Sequence, residues 1–158
     1  MTTTELSSNL KIEDWILDFL SKPNAVFDNL PPCPYAKRAW LDGNVEVKEF
    51  DSFQSMRKDL AEWDKEVIIY LFQSAVLPRC NELEILAASF NEQYPDFLFL
   101  EESPDLVEDV GGVIVNQGEL CMMIVQKRKE VEEARKELQK TGYYDNWSSE
   151  MKERIIDR

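Results

Sequence analysis

The chain has 158 residues with 31 acidic and 18 basic side chains, no histidine, and a formal net charge of −13 at pH 7. An acidic protein lacks the basic surface that displaces counterions from nucleic acid, so we expect no direct nucleic-acid binding. The absence of histidine excludes the Ser-His-Asp and Cys-His hydrolases, the facial-triad oxygenases and the Cys2His2 zinc sites.

Length and a hydrophobic content of 44% predict one globular domain over residues 1–158, with a core that needs neither metal nor disulfide. The three cysteines are far apart and are expected to be free thiols, namely Cys33, Cys80 and Cys121. No apolar run approaches the roughly 20 residues of a membrane span, and the N-terminus has no signal-peptide pattern. We therefore expect a cytoplasmic protein without cofactor or metal.

The N-terminal part predicts one amphipathic helix. Residues 1–9 are polar and are expected to be flexible, with Ser8 or Asn9 as the helix cap. The apolar face of the helix recurs at helical spacing in Ile12, Trp15, Ile16 and Phe19. Pro23 is expected to end this helix, and a connector over 24–32 follows.

The proline-rich stretch 31–40 carries the first candidate site. Pro34 fits the first turn of a helix, which places Cys33 at or next to the N-cap, facing unpaired backbone N–H groups. With Lys37 and Arg38 one turn further on, this setting is expected to lower the thiol pKa. Cys33 is thus the candidate catalytic residue; the alternative is a small buried residue that, with Pro34, fixes how the helix packs.

Four residues are candidate ligand-binding groups: Tyr35, Lys37, Arg38 and Arg79. If folding brings 33–38 and 78–81 together, their positive charges and two helix N-termini would form a small anion-binding corner.

Three segments predict strands. Residues 45–50 alternate valine with charge, as in a half-buried strand, whereas 67–72 and 97–100 are continuously apolar, as in strands covered on both faces. Between them we expect a helix that Ser52 caps and another that Pro78 opens. The apolar stripe of this second helix contains Cys80, Leu83, Ala87, Phe90 and Tyr94.

The segment after residue 100 is acidic and then glycine-rich. Its carboxylates could bind Mg²⁺ or Ca²⁺ through Glu101, Glu102, Asp105 and Asp109. Because the segment has no EF-hand spacing, a solvated loop is favoured. Gly111-Gly112 is expected to form a hinge or tight turn. Residues 113–125 predict a hairpin that turns at 116–118.

A charged helix over about 126–140 has a narrow apolar seam of Val131, Ala134 and Leu138. Gly142 ends it, and residues 143–158 form a tail with a short helix. We expect the core to fold without this tail, which leaves Tyr143, Tyr144 and Trp147 able to contact a partner.

Strands that alternate with helices predict an α/β (or α+β) fold with a mixed sheet of about four to five strands, covered by helices. We place 67–72 near the centre of the sheet and the hairpin 113–125 at one side. A ferredoxin-like sandwich is the alternative fold.

Two stretches resemble a family of uncharacterised bacterial proteins that has a Cys-Pro-aromatic-Ala motif and an Ala-Ser-Phe-x-x-Gln-Tyr segment. Here they are residues 33–37 (Cys-Pro-Tyr-Ala-Lys) and 88–94 (Ala-Ser-Phe-Asn-Glu-Gln-Tyr), after Trp15 in the first helix. The resemblance implies a shared fold and no established activity. A histidine is common in the family where this chain has Asn91.

Residues 33–36 are also similar to the glutaredoxin Cys-Pro-Tyr-Cys motif with its second cysteine replaced. In the thioredoxin fold a strand leads directly into that motif. Residues 24–32 contain few β-formers, so this resemblance does not predict a thioredoxin fold.

Two hypotheses for function follow. The one we favour is a non-catalytic interaction or accessory protein, which binds a protein partner through its acidic surface or through Tyr143, Tyr144 and Trp147. The other is a small enzyme or ligand-binding domain with a thiol-centred site at Cys33. A concave pocket beside Cys33 would favour the site, and a flat aromatic patch would favour the partner.

Overall fold

The computed structural model describes residues 3–72, 80–104, 108–115 and 120–156, with the backbone alone for 3–8, 80 and 81. The helices are α1 (Thr3–Asp14), continued by a π-helix (Trp15–Leu20), a 3₁₀ turn (Ala25–Phe27), α2 (Ala36–Leu41), α3 (Phe53–Ala61), α4 (Cys80–Gln93), α5 (Arg128–Gln139) and α6 (Ser149–Met151), continued by a π-helix (Lys152–Ile156). The strands are β1 (Val45–Glu49), β2 (Val67–Leu71), β3 (Phe97–Glu102), β4 (Asp109–Val110), β5 (Val113–Ile114) and β6 (Met122–Lys127).

The main sheet has the strand order β1-β2-β6-β3. β1 and β2 are parallel, and β6 runs antiparallel to both of its neighbours, β2 and β3. This mixed sheet confirms the predicted α/β class and the interior position of β2. Along the chain, the first three strands of this sheet alternate with helices α3 and α4. The ferredoxin-like alternative has the element order β-α-β-β-α-β, so the structure does not have that fold.

One face of the sheet carries a filled core. Helices α3 and α4 cover it, and the predicted stripe of α4 is confirmed at Leu83, Ala87 and Phe90, which are buried against the sheet. The side chain of Cys80 lies outside the described part of the structure. Ser52 caps α3 as predicted, because its side chain accepts a hydrogen bond from the Ser55 backbone N–H at 3.1 Å. This face is therefore close-packed apolar structure.

The first helix lies on the other face, where Ile12 and Ile16 are buried against Ile69 and Met122. The helix begins at Thr3, so the prediction that 1–9 precedes it was wrong. Helical hydrogen bonds are local and extend the helix beyond the residues that carry the apolar pattern. Among the described residues no helix is long and apolar enough to cross a membrane.

The prediction of a hairpin over 113–125 was also wrong. β5 pairs with β4, and β6 lies between β2 and β3 in the main sheet. The tight turn at Gly111-Gly112 is confirmed as the β4–β5 turn, where both glycines have positive φ angles of 58° and 92°. The proposed turn at 116–118 lies outside the described residues.

The C-terminal segment belongs to a third apolar cluster and packs against the rest of the chain, while the folding of the core without it stays a prediction. Tyr143 and Met151 are buried together with Phe27 and Val110. The rings of Phe27 and Tyr143 are 5.1 Å apart. Aromatic spacing alone could not show this, because Phe27 is separated from Tyr143 by most of the chain.

Phe27 offers a test of this third cluster. Its side chain is fully buried (0% exposed), whereas Phe53 on α3 is 50% exposed. Phe27→Ala is expected to lower the free energy of unfolding by about 3–5 kcal/mol, and Phe53→Ala by roughly half as much, because less apolar area is lost. Urea denaturation of both variants measures the difference. Equal losses would contradict the burial of Phe27.

Candidate functional site

A cavity of about 640 Å³ lies between the second face of the sheet and the helices that cover it. Its sheet side contains Val67, Ile69, Leu100, Glu102, Ile124 and Gln126. These side chains share one face because their strand positions pair directly across β2, β6 and β3. The first helix forms a second side with Trp15, Ile16 and Leu20.

Helix α5 forms a third side of the cavity. The predicted seam of Val131, Ala134 and Leu138 lines the cavity. None of the twelve residues of α5 is buried, although its polar and apolar faces are clearly separated. An amphipathic surface helix normally buries its apolar stripe in the core. Here the stripe is only half-buried and lines the cavity, and Leu138 also packs against the third apolar cluster.

Aromatic side chains of the C-terminal segment complete the lining. Tyr143, Tyr144 and Trp147 all contact the cavity and contact one another, with ring centroids 4.8 to 5.9 Å apart. The Tyr143 hydroxyl donates a hydrogen bond to the carbonyl oxygen of Pro32. Since Tyr143 is only 5% exposed, these rings do not form the predicted flat, exposed patch.

Cys33 lines the cavity but is not an N-cap. The helix begins at Ala36 with Tyr35 as its N-cap residue, because residues 33–36 first form a turn in which Ala36 N donates to Cys33 O at 3.3 Å. Burial raises the pKa of the Cys33 thiol, and the backbone N–H groups of Tyr35 and Ala36 offset this only in part. The expected lowering of the thiol pKa was therefore wrong, since desolvation outweighs those hydrogen bonds.

The predicted anion-binding corner lies only in part within the described residues, so it stays a prediction. Lys37 is exposed and does not line the cavity, and Arg79 lies outside the described residues. Arg38 lines the cavity, but its guanidinium is paired with Glu66 at 2.9 Å and with Asp42 at 3.4 Å. Of the predicted ligand-binding residues, the structure brings Tyr35 and Arg38 to the same cavity as Cys33.

The carboxylates of the acidic segment diverge. Glu101 and Glu102 are consecutive in β3 and point to opposite faces of the sheet. Asp109 is exposed in β4, and Asp105 lies outside the described residues. In the described parts of the chain, no three His, Cys, Asp or Glu side chains converge as a metal site requires.

Asn91 has a structural role in this protein. Its side-chain amide accepts a hydrogen bond from Phe99 N at 2.8 Å and donates one to Phe99 O at 3.0 Å. Phe99 belongs to β3, an edge strand of the main sheet, so the amide pairs with backbone groups that no further strand reaches. Asn91 is not part of the cavity lining.

The chain matches no protein-family model, no curated protein and no solved structure. The resemblance of residues 33–37 and 88–94 to a family of bacterial proteins thus stays a prediction. The motif at Cys33 is preceded by the 3₁₀ turn and an isolated bridge between Asn24 and Leu30, and it precedes every strand of the main sheet. This order differs from that of the thioredoxin fold.

The sequence indicated parts of this cavity but not the cavity itself. It predicted Cys33, Tyr35 and Arg38 as site residues and a narrow apolar seam on α5, without relating the two. The sequence did contain one indication of the cavity. The apolar seam of α5 is only three residues long and has the small Ala134 at its centre, so its side chains cannot fill the space above a sheet.

Cys33 is half-buried, and its reactivity follows from the desolvation that raises its thiol pKa. A raised thiol pKa lowers the thiolate fraction at pH 7, so alkylation of Cys33 by iodoacetamide in the folded protein should be at least about tenfold slower than in the denatured chain. Mass spectrometry of peptides after timed alkylation measures both rates. Rapid labelling of Cys33 at pH 7 would contradict this environment.

The raised pKa of Tyr143 predicts that the protein loses stability at alkaline pH. Burial is the main cause that raises the pKa of Tyr143, and Cys33 nearby adds to it. An unfolded tyrosine ionises near pH ~10, so above that pH the unfolded state binds fewer protons and the free energy of unfolding falls. Denaturant titrations from about pH 8 to 11 should show this fall, with a smaller fall in Tyr143→Phe. Tyr35→Phe, which removes an exposed hydroxyl, is the control and should behave like the parent.

Proposed function

We propose that this protein binds a small organic ligand in the cavity between the sheet and α5. The observation that carries the proposal is the apolar seam of α5, which lines a space of about 640 Å³ with no residue of the helix fully buried, although Leu138 also packs against the third apolar cluster. Ligand sites are typically concave, largely apolar and roughly 300–1,000 Å³ in volume. This cavity has that size and character.

The energetics favour an occupied cavity. Val131, Ala134 and Leu138 leave apolar surface next to the apolar sheet residues Ile69 and Ile124. An apolar ligand would remove this surface from water at about 25 cal/mol per Å², without the rearrangement that collapse of the helix onto the sheet would need.

Trp147 supplies a second argument. Its indole lines the cavity, and its Nε1 is buried with no hydrogen-bond acceptor among the described residues. A buried donor without an acceptor costs roughly 1–3 kcal/mol. An acceptor atom on a bound ligand would remove that cost.

The concave site beside Cys33 supports the ligand-binding hypothesis over the partner-docking hypothesis. The aromatic residues that were expected to present a flat surface to a partner line the cavity instead. Since the thiol of Cys33 is desolvated, we assign it to the lining of the site and give it no nucleophilic step.

A cavity-filling substitution tests the proposal. Nile red is a neutral dye whose emission rises in apolar surroundings, and we expect it to bind the purified chain at micromolar concentration. Ala134→Trp places an indole in the cavity and should abolish most of this emission while leaving the protein folded, as circular dichroism would show. The indole occupies the same space as the ligand.

The matched control is Ala88→Trp on α4. Ala88 is exposed and lies on the helix that covers the opposite face of the sheet. This variant should bind the dye as the parent does. Equal dye binding by the parent and Ala134→Trp would contradict the cavity as the site.

A further inference from the structure

The charges around the cavity are mostly negative. Among the described residues its lining includes two arginines, Arg38 and Arg135, and no lysine. The lining also has six glutamates, of which Glu66 is paired with Arg38 and Glu137 with Lys140: Glu66, Glu102, Glu108, Glu130, Glu133 and Glu137. A cleft with low-dielectric walls and charges mainly of one sign concentrates ligands of the opposite sign.

Both arginines of the lining already have acceptors. Arg38 is held by Glu66 and Asp42. Arg135 donates to the carbonyl oxygens of Ile155 at 2.9 Å and Ile156 at 3.0 Å, which ties α5 to the C-terminal segment. An anionic ligand would have to take a guanidinium away from these partners, at the cost of existing charge-assisted hydrogen bonds.

Aromatic rings add a second attraction for positive charge. Tyr143, Tyr144 and Trp147 form one contiguous ring cluster at the cavity, and Trp15 and Tyr35 line it as well. The faces of such rings attract ammonium groups, most strongly where water is excluded. Carboxylates and aromatic rings around one apolar space are the combination that recognises an alkylated ammonium.

We propose that the ligand of this cavity is an organic cation, with an alkylated ammonium group joined to an apolar body. This inference rests on the proposed ligand-binding function. The ammonium group lies against the aromatic rings and glutamates, and the apolar body lies against Ile69, Ile124 and the α5 seam.

Three compounds with one common body test the charge preference. They are trimethyl(4-phenylbutyl)ammonium, 4-phenyl-1-butanol and 4-phenylbutyrate, titrated into the full chain by isothermal calorimetry at low salt. The cation should bind about tenfold more tightly than the alcohol, and the carboxylate more weakly than either. Raising the salt concentration should reduce the advantage of the cation and leave the alcohol unchanged.

A pair of matched double variants locates the effect. Glu130→Gln with Glu133→Gln removes two exposed carboxylates of the lining, and Glu84→Gln with Glu132→Gln removes two exposed carboxylates outside it. Cation affinity should fall at least about threefold further in the first pair than in the second, although both change the net charge equally. The affinity for the alcohol should be the same in both.

The outcomes separate this inference from the function on which it rests. If the alcohol binds and the cation is no tighter than the carboxylate, the inference is overturned and the binding function stands. Equal losses in the two double variants would also overturn the inference, because the preference would then reflect net charge alone. If none of the three compounds binds, both proposals are overturned.

Discussion

The contact of Tyr143 with Phe27 and Pro32 joins the C-terminal segment to the turn before α2. The hydroxyl of Tyr143 donates to the Pro32 carbonyl, and its ring packs on Phe27, so the C-terminal segment is fixed to the turn that carries Cys33. The buried hydroxyl makes one specific hydrogen bond while the ring supplies apolar contact. Together with the hydrogen bonds from Gly142 N to Asp28 and from Asn146 to Val26 O, this contact positions the aromatic side of the cavity.

The two faces of the sheet differ for a physical reason. On the face covered by α3 and α4, large side chains such as Phe90 and Phe99 meet and fill the space. On the other face, the cavity is lined by Ile69 of β2 and Ile124 of β6. Helix α5 lines it with the small Ala134 between Val131 and Leu138. The second face is therefore a packed core beneath the first helix, but it leaves a cavity beneath α5, where small side chains do not fill the space.

Binding and stability are coupled in such an arrangement. The elements that line the cavity also hold the third apolar cluster, since Phe27 and Tyr143 belong to both. A ligand that binds only the folded state would stabilise it by mass action. It would also bridge α5 and the sheet, which approach each other here without burying any residue of α5.

The sequence by itself determined the α/β class, the interior strand β2, the stripe of α4 and the turn at Gly111-Gly112, because each depends on local periodicity or backbone freedom. It also identified Cys33 as a site residue, but it predicted the wrong direction for the shift of its thiol pKa. The partner of β5, the place of β6 in the sheet and the fold-back of Tyr143 depend on contacts between residues far apart in the chain. Only the tertiary structure decided whether Cys33 is solvated or desolvated, and whether the α5 seam meets a core or an open cavity. Both are properties of surfaces brought together by folding, which no local pattern encodes.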